Sequence, residues 1–87
     1  MSEIKQVFEA GFYAGARVVQ RYGRANSGLR LDSSWSAYQA LSGEPNTSHA
    51  PFSAGYNAST LTVGTYDSED QMTTKFREAW AISGLGN

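Results

Sequence analysis

The sequence predicts a small, mainly α domain of three helices, with a loop or a short β-hairpin between the second and third helices. Two observations predict this class. Apolar side chains recur every three or four residues near both ends of the chain, and a glycine follows each of these periodic stretches. With 87 residues, 40% of them hydrophobic, the chain fits a single globular domain, residues 1–87. A core of this size is thin, so a partner or a second copy would add stability.

The first predicted helix begins with Ser2 as its N-cap, runs to about Tyr22 and ends at Gly23. Eight residues at helical spacing form its apolar stripe: Ile4, Val7, Phe8, Gly11, Gly15, Val18, Val19 and Tyr22. Each glycine costs a helix about 0.5–1 kcal/mol relative to alanine. Because the sequence accepts this cost twice, four residues apart, we expect another backbone to approach Gly11 and Gly15.

A short second helix is predicted from about Ser34 to Leu41, with Asp32 or Ser33 as its cap. Gly43 and Pro45 end it, and its apolar side has residues three apart in the chain: Trp35, Tyr38 and Leu41. The residues before it, 24–31, have the composition of a loop because they contain several turn formers. The second helix therefore has an aromatic side that can pack on the first helix.

The segment from Gly43 to Asp67 allows two interpretations. Thr60 to Tyr66 alternates in polarity and is rich in β-branched residues, which predicts a strand. The nearest pairing partner is His49 to Ser53, which would make a small hairpin. An ordered wrapping loop is the alternative, although a loop of about 20 residues inside a small domain is uncommon unless it is functional.

The third predicted helix starts with a capping box formed by Ser68 and Gln71, and it ends at Gly84. Its apolar face contains Met72, Phe76, Ala79 and either Trp80 or Ile82. The simplest assembly packs this helix on the first, with Phe76 and Trp80 over the gap at Gly11 and Gly15. A homodimer seam at the two glycines is the alternative.

The composition argues against several classes of function. The chain has no cysteine, so thiolate catalysis and cysteine-ligated zinc are excluded. His49, the one histidine, has no carboxylates at metal-ligand spacing, and no phosphate-binding motif or nucleophile elbow occurs. We predict no enzyme, no catalytic residue, no metal and no cofactor. Residues 1–20 lack the unbroken apolar run of a signal peptide, and no run of about 20 apolar residues occurs, so we expect neither a signal peptide nor a membrane partner.

Arginine and aromatic residues are the side chains that protein-binding surfaces use as anchors. Between residues 10 and 31 the chain has four arginines and no acidic residue. The predicted partner-binding residues are Tyr13, Arg17, Arg21, Arg24 and Tyr56. Interleaved arginines and tyrosines also suit phosphates and bases, which makes a nucleic-acid-binding accessory protein an alternative. The net charge of −1 argues against it.

Two stretches, FEAGFYAG at residues 8–15 and FREAW at residues 76–80, resemble small accessory proteins of tailed bacteriophages. The resemblance rests on packing motifs and attaches no activity to any residue. It implies a non-enzymatic phage protein that binds and modulates a host protein in the host cytoplasm. The alternative is a self-associating structural protein or a component of the virion.

Overall fold

The computed structural model describes residues 3–86 and contains four α-helices. They are α1 (Ile4–Tyr22), α2 (Leu31–Ser42), α3 (His49–Thr62) and α4 (Glu69–Ser83). Short 3₁₀ turns lie in the first two connections, at Arg24–Asn26, Gly28–Arg30 and Asn46–Ser48. No strand occurs within residues 3–86. The mainly α class is confirmed, whereas the predicted hairpin is wrong and the helices number four instead of three.

Helix α3 occupies the segment for which the sequence suggested a hairpin or a loop. Pro51 is its third residue, where the missing N–H leaves no hydrogen bond unmade. At its β-branched end the threonine hydroxyls are satisfied by carbonyls one turn back: Thr60 donates to Asn57 and Thr62 donates to Ala58. Buried residues recur at helical spacing: Phe52, Gly55, Tyr56, Ser59 and Thr60.

Helices α1 and α3 form the centre of the molecule and touch through their backbones. A methyl group added to Gly11 would lie 2.8 Å from the carbonyl carbon of Phe52, and one added to Gly15 would lie 2.6 Å from the carbonyl oxygen of Tyr56. Both distances are shorter than a carbon atom allows. The expected approach of another backbone at these two glycines is confirmed, and it comes from α3.

The remaining helices flank this central pair on separate sides. One core cluster joins α4 to α1 and α3 and contains Phe8, Phe12, Ala16, Val63, Phe76 and Ala79. The other joins α2 to the central helices and contains Val7, Val18, Trp35, Phe52 and Tyr56. The shortest dimension of the Cα trace is 17 Å, which gives the molecule a flat shape.

The prediction that Phe76 and Trp80 cover the glycine gap is wrong. The Phe76 ring lies 5.7 Å from the Phe12 ring, and the Trp80 ring lies 5.2 Å from the Phe8 ring. These aromatics therefore pack beside the glycines on neighbouring rows of α1. Because the backbone of α3 fills the gap, it is equally closed to a second copy of the chain.

The helix ends agree with the sequence more closely than the middle segment does. Gly23, Gly43 and Gly84 all have positive φ and end α1, α2 and α4. The Ser68–Gln71 capping box is present, with both reciprocal hydrogen bonds. Helix α1 is capped by Glu3, and Ser2 lies outside the described residues.

Helix α2 starts earlier than predicted. Its N-cap is Arg30, so Asp32 and Ser33 lie in the first turn and the expected cap is wrong. The preceding 3₁₀ turn ends at Arg30 and leads directly into the helix. The Ser33 hydroxyl donates to the carbonyl of Arg30, which ties this first turn together.

Candidate functional site

A groove of about 610 Å³ runs along the outer side of α1, between that helix and α2. Helix α1 supplies most of its lining, and α2 supplies the opposite wall. The lining residues of α1 are Gln6, Glu9, Ala10, Tyr13, Ala14, Arg17, Val18, Arg21 and Tyr22. Those of α2 are Ser34, Ala37, Tyr38 and Leu41, and α3 adds Phe52. We call this surface the α1/α2 groove.

The floor of the α1/α2 groove is apolar. Ala10 and Ala14 line this floor, and their short side chains leave the space above them open. On the α2 side, the Tyr38 ring stacks on the buried Phe52 ring with centroids 5.2 Å apart. Leu41 stands at the rim with 90% of its surface exposed. A large apolar side chain of this exposure at a groove edge is available to a partner.

The cations of the α1/α2 groove lie at one end. Arg17 and Arg21 are exposed and four residues apart, which places them on the same side of α1. Neither makes an ion pair with another of residues 3–86. Arg30 does not line the groove; it lies over the Tyr22 ring, 3.5 Å from its centroid. Glu9 is two turns away, near the other end.

Three of the predicted partner-binding residues line the α1/α2 groove: Tyr13, Arg17 and Arg21. Tyr13 is half-buried. Its ring lies 5.9 Å from the Phe76 ring, and its hydroxyl is 3.4 Å from that of Thr73 in α4. Tyr13 therefore supports the wall and presents only an edge, whereas the two arginines are fully available.

The structure contradicts the assignment of Tyr56 to a binding surface, and it gives Arg24, which stays exposed, a role within the fold. The Arg24 guanidinium donates to the carbonyls of Thr60 and Val63, where it caps the C-terminal end of α3. Tyr56 is completely buried, and its hydroxyl donates to the carbonyl of Ser27 at 2.5 Å. Burial raises the pKa of this phenol. Both residues hold the fold together.

The α2 wall of the groove was not among the predicted binding residues. Tyr38 and Leu41 belong to the apolar side that the sequence gives to this helix, but Leu41 is not covered by the core. The sequence did contain an indication of this wall. A short helix with three large apolar residues on one side has more apolar surface than it can bury.

A second groove, of about 670 Å³, lies between α3 and α4. Its apolar lining includes Leu61 and Ile82, which are 77% and 87% exposed. Lys75 also lines it, but its ammonium group is paired with the Asp67 carboxylate and donates to the carbonyl of Thr62. The lysine and the Gly64 N–H both lower the pKa of Asp67.

The polar side chains of residues 3–86 form no group of three or more that could hold a metal ion. His49 packs its ring on Trp35, with centroids 5.2 Å apart, and Ser48 donates to Glu44. None of the helices in this range combines the length and the apolar character needed to cross a bilayer.

Comparison of the chain with protein-family models, with curated proteins and with solved structures finds no match. The function must therefore be argued from the surfaces of the molecule itself.

Proposed function

We propose that this protein is a non-enzymatic binding protein that uses the α1/α2 groove to hold a segment of a protein partner. The observation that carries the proposal is the pair Arg17 and Arg21, two exposed cations without an ion pair among the described residues, beside an apolar floor. Anchoring arginines next to aromatic and aliphatic side chains are typical of interface centres. The molecule needs neither cation for its own core.

The resemblance to phage accessory proteins suggests where the partner would be found. Under this proposal the partner is a host protein, which binding would modulate in the host cytoplasm. The opposed surfaces of α1 and α2 are fixed by the core clusters beneath them, so the groove is formed before the partner arrives. Preformed sites lose less entropy on binding.

A pull-down from a bacterial lysate tests the proposal. The bait is the full chain, beside a double variant Arg17→Glu/Arg21→Glu. A control, Lys5→Glu/Arg77→Glu, makes the same change in net charge at two exposed positions outside both grooves. We expect one stoichiometric protein with the wild type and the control, and its loss with the groove variant. No stoichiometric protein, or equal recovery by all three baits, would contradict the proposal.

Self-association, as a structural or virion component, is the second candidate. It is favoured by Leu61 and Ile82, two exposed apolar residues that both line the groove between α3 and α4. Sedimentation velocity over a wide range of protein concentration tests it, with Leu61→Ser/Ile82→Ser as the variant. A dimer that the variant abolishes supports this candidate, and a monomer at every concentration rules it out.

Nucleic-acid binding uses the same arginines and is tested in the same lysate. Copurifying nucleic acid that salt removes would favour it, because phosphate contacts release counterions. The structure weakens this alternative at one point: Arg24, which the sequence placed with the other cations, is engaged by α3.

A further inference from the structure

We propose that the occupant of the α1/α2 groove is an amphipathic helix of about three turns, with acidic residues in its first turn, bound antiparallel to α1. This inference rests on the proposed function and adds the chemistry and the direction of the partner. It follows from three features of the groove: its walls, its length and its uneven charge.

The two helical walls of the groove favour a helix as its occupant. Both are helices, and residues 3–86 contain no strand whose edge could pair with an extended peptide. Recognition must therefore run through side chains. An apolar channel between two helices accepts the apolar stripe of a third one, with large residues at positions i, i+3 or i+4, and i+7. Such residues would lie over Ala10 and Ala14 and touch Tyr38 and Leu41.

The length of the groove sets the length of the occupant. Its charged ends are marked by Glu9 and Arg21 on α1. Twelve residues at 1.5 Å each separate them by about 18 Å, which corresponds to a little over three helical turns. A much shorter segment would not reach both ends.

The charge of the groove sets the direction. Arg17 and Arg21 lie toward the C-terminal end of α1, and Glu9 lies toward its start. Asp32, in the first turn of α2, does not line the groove. Carboxylates are favoured in the first turn of a helix, where they meet the positive end of its dipole. A partner whose acidic first turn lies over Arg17 and Arg21 begins at the C-terminal end of α1 and runs toward Glu9. The side-chain charges therefore favour the antiparallel orientation.

Synthetic peptides of about 14 residues test the inference with the full chain. The first peptide has leucines at helical spacing, two glutamates one turn apart near its N-terminus and a lysine near its C-terminus. A second has the two glutamates replaced by lysines, and a third carries the glutamates at the C-terminus. Fluorescence anisotropy gives the affinities, and amide shifts in NMR spectra of the labelled protein locate the site.

We expect the first peptide to bind at least about fivefold more tightly than either of the others, since each exposed ion pair contributes a fraction of a kcal/mol. Amide shifts should map to Ala14, Tyr38 and Leu41. The Arg17→Glu/Arg21→Glu variant should reverse the preference and favour the second peptide, whereas Lys5→Glu/Arg77→Glu should keep the wild-type order. Circular dichroism checks that both variants stay folded.

The inference fails if the three peptides bind equally, if none binds, or if the shifts map to the α3/α4 groove. It also fails if an unlabelled oligonucleotide displaces the labelled first peptide more effectively than unlabelled first peptide does, or if the chain dimerises through the groove and the peptide cannot bind. The pull-down separates this failure from that of the proposed function. A lysate protein that depends on Arg17 and Arg21, together with peptides that do not bind, would leave the proposed function standing and overturn only the acidic helix.

Discussion

Gly55 of α3 lies directly against the backbone of Phe8 in α1: a methyl group at residue 55 would come within 2.9 Å of the Phe8 carbonyl carbon. Together with Gly11 and Gly15, it makes the contact between the two central helices a contact of backbone with backbone. The side chains that flank this contact, such as Phe12 and Phe52, are then free to point toward α4 and α2. The position of both grooves follows from this one crossing.

The hydrogen bonds of Arg24 to the end of α3 predict a role in stability. Replacing Arg24 by alanine removes two donors from the carbonyls of Thr60 and Val63, and we expect a loss of about 1 kcal/mol in the free energy of unfolding. Arg24→Lys should recover only part of it because an ammonium lacks the planar fork. Urea unfolding measures both, with the exposed Arg77→Ala as control. An Arg24→Ala protein as stable as that control would contradict the capping role.

The buried hydroxyl of Tyr56 predicts a dependence of stability on alkaline pH. Burial raises the pKa of Tyr56 above its ordinary value of 10.0. As the pH rises, the unfolded chain therefore loses the Tyr56 proton before the folded protein does. The stabilisation that the neutral, buried phenol provides is complete below about pH 10, and it is lost as the pH rises through the pKa of the folded protein.

We expect Tyr56→Phe to lower the free energy of unfolding by about 1 kcal/mol at neutral pH and to remove part of the alkaline decline. Tyr66→Phe, at a position 97% exposed, is the matched control and should do neither. Denaturant midpoints measured from neutral pH to about pH 11 give both quantities. If Tyr56→Phe loses stability at alkaline pH as steeply as the wild type, the buried phenol is not the source of the decline.

The ion pair of Asp67 in the turn between α3 and α4 predicts that the protein loses stability as the pH falls into the acid range. Lys75 and the Gly64 N–H lower the pKa of Asp67 below its ordinary value of 3.8. The stabilisation that the ionised Asp67 carboxylate provides is therefore complete above about pH 4. It is lost as the pH falls through the pKa of Asp67 in the folded protein. Asp67→Asn should be less stable than the wild type near neutrality and should lose less stability on acidification. Glu78→Gln, an exposed carboxylate of α4 without an ion pair among the described residues, should match the wild type at both ends.

The sequence was a good guide where one local signal decided the structure. The helical spacing in α1, the capping box at Ser68 and the glycines that end three helices are each set by neighbouring residues, and they appear in the structure. Ile4 and Tyr22, at the two ends of the predicted stripe, are exposed. Arg17 and Arg21 were identified as exposed cations for the same reason: they lie off the apolar stripe.

The sequence was a poor guide where tertiary contacts decided. Helix α3 is rich in serine, threonine, asparagine and glycine, which favour turns or strands when they are considered locally. It is helical because Gly55 meets α1 and Phe52 fills the space beside α2. The sequence predicts Tyr56 and Arg24 as surface anchors for a related reason. An aromatic or an arginine gives no local indication of whether its partner is another protein or its own chain.

The crossing of α1 and α3 is tested most directly by the stability of Gly11→Ala. In an open helix this change stabilises by roughly 1 kcal/mol through propensity, whereas here the new methyl group must displace the backbone of Phe52. Gly28→Ala adds the same methyl group where nothing lies within 4 Å, and serves as the control. In urea unfolding we expect Gly11→Ala to be destabilised by about 2 kcal/mol or more and Gly28→Ala to be at least as stable as the wild type. A Gly11→Ala protein more stable than the wild type would show that the two helices do not meet there.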